Sequence, residues 1–161
     1  MIFGMTTYTF VHVVLSVVGI VSGLVVVFGL FAAMRLDAWT ALFLVTSTAT
    51  SATGFVLPSF HLLLSHVVGI VSLVILAVAV VARYAGHLAG AWRAIYAVSA
   101  VFALYLNVAV LIVQLFRRVP ALHAMAHRVE PPFLLTHLFV LVLFVVLAAV
   151  AAKTFRPEPV I

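Results

Sequence analysis

The sequence predicts an all-α integral membrane protein, an up-and-down bundle of five transmembrane helices. Composition is the first observation behind this. Of 161 residues, 68% are hydrophobic and 7% charged, and mean hydropathy is +1.44, whereas about a quarter of a soluble domain is charged. The second observation is that the apolar residues fall into five runs, each near the ~20 residues that cross ~30 Å of hydrocarbon. The third is that only short Arg-, Pro- or Gly-bearing joins separate the runs. Residues 1–161 therefore read as a single transmembrane helical domain, and function belongs to the bundle or its loops.

The first span is read over Tyr8–Met34, closed by Arg35 and Asp37. With no basic residue ahead of it, it is expected to stay as a helix rather than be cleaved as a signal peptide. The second, Ala38–Leu57, carries Thr46, Ser47, Thr48, Thr50, Ser51 and Thr53 and stops at Pro58. Those hydroxyls are expected to bond carbonyls of their own helix or neighbouring helices. The third, Phe60–Tyr84, follows so closely that spans two and three pack antiparallel. The fourth, Ala91–Phe116, holds Asn107, which needs a partner near mid-membrane; helix-2 hydroxyls or neighbours of Tyr105 are the candidates. Gln114 lies seven residues on. Pro131-Pro132 starts the fifth, Phe133–Lys153, because proline suits the first helical turn.

Span one and span three share His-Val-Val and Gly-Ile-Val-Ser, while spans two and four open on Ala38-Trp39-Thr40-Ala41 and Ala91-Trp92-Arg93-Ala94. A duplicated two-helix hairpin followed by a fifth helix accounts for these matches; chance in low-complexity apolar sequence is the alternative.

Alternation of the loops places Arg35, Arg83, Arg93, Lys153 and Arg156 on one side and Arg117, Arg118 and Arg128 on the other. The positive-inside rule then sets the N-terminus outside and the C-terminus in the cytoplasm. Trp39 and Trp92 fall at the cytoplasmic interface. The compact layout, without eukaryotic targeting features, points to a bacterial inner membrane.

Several function classes drop out. The charge of +5 sits at helix ends, where it meets lipid headgroups rather than nucleic acid. Cysteine is absent, which excludes disulfides, thiolate catalysis and cysteine-ligated metals. The carboxylates are Asp37, Glu130 and Glu158, too few for a carboxylate proton pump or a carboxylate-bridged di-iron centre.

Histidine is what remains. His12, His66 and His137 each sit about four to six residues inside the leading end of a span, roughly 6–9 Å deep. These spans share a direction, so the three imidazoles are expected in one layer near the extracytoplasmic side. His61, His123 and His127 lie on that side too, and His87 on the other. An ionisable residue inside a span faces the bundle interior or water and marks a functional candidate. Two imidazoles at one depth suit haem b, with Gly19, Gly23 and Gly69 opening a slot for the porphyrin; otherwise His12, His61, His66, His123, His127 and His137 are candidate ligands for Cu or Zn. Against ligation stands the packing reading, in which His12, Ser16, Gly19 and Gly23 form one small-residue helix face. His123 and His127, at i,i+4 spacing, suit a chelate or a short interfacial amphipathic helix over Ala121–Val129.

The leading functional expectation is a small haem- or metal-binding redox protein that transfers electrons, with quinone or a redox protein as partner. The alternative is a non-enzymatic binding or accessory subunit, alone, oligomeric or in a larger complex, whose histidines and hydroxyls serve packing or small-molecule binding. A histidine–metal hydrolase is third, with Glu130 as its general-base candidate. Whether the protein is an enzyme stays open at this level.

Overall fold

In the computed structural model, residues 6–55, 62–120, 122 and 131–156 are described, and they contain five α-helices. α1 spans Thr7–Phe31, α2 Asp37–Gly54, α3 Leu62–Val80, α4 Ala91–Arg118 and α5 Pro131–Thr154, with a π-helical turn, Val81–Ala85, continuing α3. No strand occurs among the described residues.

Helix ends follow from local chemistry. Thr6 caps α1 by accepting the Thr9 amide at 3.2 Å, which satisfies one of the four amides a helix start leaves free. α1 closes three residues before the Met34 expected from hydropathy, in a Schellman motif. Ala33 turns to φ +54, Met34 N–H donates to Gly29 O at 2.8 Å and Ala33 N–H to Leu30 O at 3.3 Å. That position normally carries glycine, so alanine hid the stop. At the end of the π-helical turn Gly86 N–H reaches back to Val81 O at 2.8 Å. α4 runs two residues beyond the expected Phe116, to Arg118.

α1, α2, α3 and α4 form a ring in that order: α1 packs against α2 and α4, and α3 against α2 and α4. α1 and α3 are thus diagonal partners. α2 and α4, the other diagonal, are bridged by side chains, Thr40 to Tyr96 and Ser47 to Asn107. α5 lies outside the ring against α4 and α1. The middle of the bundle is filled where α1 carries Gly23. A Cβ there would stand 2.8 Å from Leu104 Cδ1 and 2.8 Å from Phe43 Cε2, so only glycine lets both side chains close on the α1 backbone.

The ring is up-and-down. At one end Tyr8 and His12 of α1 meet Thr53 near the end of α2, Phe55 meets His66 of α3, and Phe116 of α4 meets Phe133 of α5. At the opposite end Asp37 meets Arg83, and Phe155 packs on Tyr96 at 5.8 Å. Among the described residues four stretches are long and apolar enough to cross a membrane: Thr7–Phe31, His66–Ala85, Ala91–Arg118 and Phe133–Thr154. α2 is not among them. Its 18 residues begin on Asp37, and its second half is rich in Ser and Thr, which dilutes its apolar character.

Candidate functional site

Polar side chains inside the bundle gather at three levels along α2. The first is the His12 end. His12 Nδ1 lies 2.8 Å from Thr53 Oγ1, and that hydroxyl donates to Ala49 O at 2.7 Å. A hydroxyl has one proton, so the imidazole must be the donor. Neutral His12 therefore carries its proton on Nδ1 and leaves the Nε2 lone pair unused. Tyr8 O–H donates to Thr53 O at 2.7 Å, one of the carbonyls that the end of α2 leaves without a helical partner. His12 and Tyr8 thus fasten the start of α1 to the end of α2.

The other expected ligands are distributed differently. His137 Nδ1 donates to Phe133 O at 3.0 Å and its ring packs on Phe133 at 4.3 Å, again leaving Nε2 as the lone-pair nitrogen. The His66 ring packs on Phe55, centroid to centroid 5.3 Å. His12 and His66 sit on diagonal helices and take different partners, Thr53 and Phe55. His61, His123, His127 and Glu130 lie outside the described residues. Among the described residues no three His, Asp or Glu side chains gather to hold a metal ion.

The glycines expected to line a porphyrin slot are closed over by the protein's own side chains. A Cβ on Gly69 would stand 2.9 Å from Phe55 Cζ, and one on Gly19 would stand 3.2 Å from Ser47 Oγ and 3.3 Å from Thr46 Oγ1. With Phe43 and Leu104 over Gly23, each glycine buys close approach of helices.

The second level is mid-bundle. Asn107 Nδ2 donates to Ser47 Oγ at 2.9 Å, so a helix-2 hydroxyl is the partner that Asn107 required. Ser22 donates to Val18 O at 2.6 Å and Thr46 to Leu42 O at 2.7 Å, the i−4 bonding expected of hydroxyls in apolar helices. Thr50 Oγ1 is enclosed without a hydrogen-bond partner. Gln114 is exposed and does not join this level.

The third level, at the opposite end, is the most elaborate, and sequence reasoning assigned its residues only to topology. Arg83, in the π-helical turn, forms an ion pair with Asp37; the arginine side chain is 2% exposed and the carboxylate 72%. The Arg83 guanidinium carbon lies 5.1 Å from the centre of the Tyr96 ring and 5.9 Å from that of Tyr84, within cation–π range. Tyr96 Oη lies 3.1 Å from Thr40 Oγ1. The fully buried Phe155 also packs against the Tyr96 ring. One signal was available: Asp37 is the sole carboxylate before Glu130, so any buried cation of the first four helices had one possible counter-ion.

No known protein family matches the chain, and neither the curated proteins nor the solved structures contain a match to it.

Proposed function

We propose that the chain is an integral membrane protein of five spans whose role is non-enzymatic, a binding or accessory subunit in which the interior polar groups fasten helices. The observation that carries this reading is the pairing of those groups with one another. His12 is engaged by Thr53, Asn107 by Ser47, Tyr96 by Thr40 and Arg83 by Asp37. In hydrocarbon the alternative to such a bond is an unsatisfied polar group costing several kcal/mol. α2 becomes the shortest span, flanked by α1 and α3, where Thr40, Thr46, Ser47 and Thr50 are buried away from lipid. The positive-inside rule keeps the Asp37 end cytoplasmic.

The redox reading stays as the second proposal, and one observation favours it. In His12 and His137 the Nδ1–H is bonded to oxygen and Nε2 keeps its lone pair, the orientation in which metal-ligating histidines are held. Haem b, Cu or Zn would take its ligands there, with quinone or a redox protein as partner. Haem would also require Phe43, Leu104 or Phe55 to leave the glycines they cover.

An optical spectrum of the detergent-purified protein, oxidised and dithionite-reduced, with metal analysis of the same sample, separates the two. The packing reading expects a colourless, metal-free protein. A Soret band that shifts on reduction, or stoichiometric copper or zinc, and its loss in His12→Ala, overturns it in favour of the redox reading.

A further inference from the structure

Among the described residues the Asp37 end holds more cations than carboxylates. Among the described residues it carries Arg35, Arg83, Arg93, Lys153 and Arg156 against Asp37 alone, and Asp37 is taken by Arg83. Arg35 and Arg93 are half-buried, and the Nε of each is enclosed by protein with no acceptor. Their stems are therefore held in place, while the rest of each guanidinium looks for hydrogen bonds elsewhere; arginine has five N–H donors and no acceptor.

Helical spacing brings the two arginines to one level of the bundle. Thr40 and Tyr96 are in hydrogen-bond contact. Asp37 lies three residues ahead of Thr40 on α2 and Arg93 three residues ahead of Tyr96 on α4, so each stands one turn nearer the helix start on the same face. Arg93 thus comes to the level of Asp37, and Arg35 is two residues before Asp37 in the chain. The first turn of α4, which bears Arg93, has no side-chain cap on its amides, and the starts of both α2 and α4 point their positive dipole ends this way. Trp39 and Trp92, both substantially exposed, mark the same level.

We propose that Arg35 and Arg93, set around the Asp37–Arg83 pair, bind a phosphate ester, the headgroup phosphate of an anionic phospholipid. Guanidinium matches phosphate in shape and charge, and basic pockets between spans on the cytoplasmic face hold such headgroups. The opposite end differs in kind: Arg117 and Arg118 are exposed and follow one another on the last turn of α4, and among the described residues no carboxylate pairs with either.

This inference rests on the membrane reading, and the test separates the two. The full-length protein is reconstituted in bilayers of phosphatidylcholine mixed with phosphatidylglycerol, one or the other brominated in its acyl chains, and tryptophan quenching is compared. The chain's two tryptophans both report on this end. The expected result is stronger quenching by brominated phosphatidylglycerol, a preference of about fivefold over phosphatidylcholine, falling to about unity in R35Q/R93Q and unchanged in R117Q/R118Q. Equal quenching by the two lipids in the wild type, or a preference that survives R35Q/R93Q, overturns the site. No quenching by either lipid overturns the membrane reading itself. Inorganic phosphate added at millimolar concentration distinguishes the source. If it leaves the preference intact the ligand is the lipid headgroup, and if it abolishes the preference the site takes a soluble phosphate instead and the lipid assignment is overturned.

Discussion

Asp37→Ala should destabilise the protein more than Arg83→Met does, although the two substitutions break the same ion pair. The reason is the asymmetry of burial: the Arg83 side chain is 2% exposed and that of Asp37 72%. Removing Asp37 leaves a guanidinium enclosed without its counter-ion, a situation that costs about 3–5 kcal/mol for a fully buried pair. Two contacts lower that cost here. The Tyr96 and Tyr84 rings remain at 5.1 and 5.9 Å, each worth about 0.5–2 kcal/mol. Losing the acid at the start of α2 adds about 0.3–1 kcal/mol back. The expected total is about 2–3 kcal/mol. Removing Arg83 instead leaves Asp37 free to hydrate, and Met fills much of the same space and replaces the two cation–π contacts with sulfur–aromatic ones of about 0.3–1.5 kcal/mol each, so about 1 kcal/mol or less is expected, in line with the near-neutral replacement of buried pairs by apolar side chains. In the Arg83→Met background Asp37→Ala should then cost only its dipole contribution, giving a coupling energy of about 2 kcal/mol. Reversible unfolding in mixed detergent micelles, followed by far-UV circular dichroism, measures all four corners of the cycle. An Asp37→Ala cost equal to or below that of Arg83→Met, or a coupling under about 0.5 kcal/mol, would refute the reasoning.

Other expectations follow from single contacts. Gly23→Val should destabilise by about 1–3 kcal/mol, the range for overpacking, because a Cβ would already stand 2.8 Å from Leu104 and Phe43; the same unfolding assay in a Phe43→Ala background should recover part of it. Gly90→Ala meets no atom within 4 Å but forces alanine to φ +51, so about 1–2 kcal/mol should be lost through the backbone alone, with the circular dichroism of the folded state unchanged. Asn107→Leu leaves Ser47 without its donor and should cost about 0.6–1.7 kcal/mol, the span measured for hydrogen bonds between membrane helices. For His12, nitrogen-15 NMR should place the proton of the neutral ring on Nδ1. Thr53→Val should abolish that preference at a cost of about 1 kcal/mol; a proton on Nε2 in the wild type would contradict the hydrogen-bond assignment.

How much of this was legible in the sequence varied with the kind of interaction. The helices were readable because hydropathy is a sum over ~20 residues and tolerates errors in any one of them. Helix ends were readable only where the usual residue stood at the stop. Ala33 in a left-handed turn and the π-helical winding at Val81–Ala85 carry no compositional mark. The histidines of the apolar helices were visible as isolated polar residues in apolar runs, and Asn107 likewise announced its need of a partner. Their partners were not visible, since Thr53, Phe55 and Ser47 differ in no local way from the hydroxyls and aromatics beside them.

Sequence by itself determined that this protein is built of long apolar helices. Its apolar residues fall in extended runs, and its few charges sit at the ends of those runs. The use made of its polar groups was decided by tertiary structure alone. Whether Gly23 admits a cofactor or Phe43 and Leu104, and whether Arg83 faces lipid or Asp37, depends on which helices are neighbours and how each is rotated about its axis. The ring order α1–α2–α3–α4, with Tyr96 and Asn107 reaching across it to Thr40 and Ser47, is a property of side-chain shapes fitting across helix interfaces. No window along the chain contains both sides of such a fit.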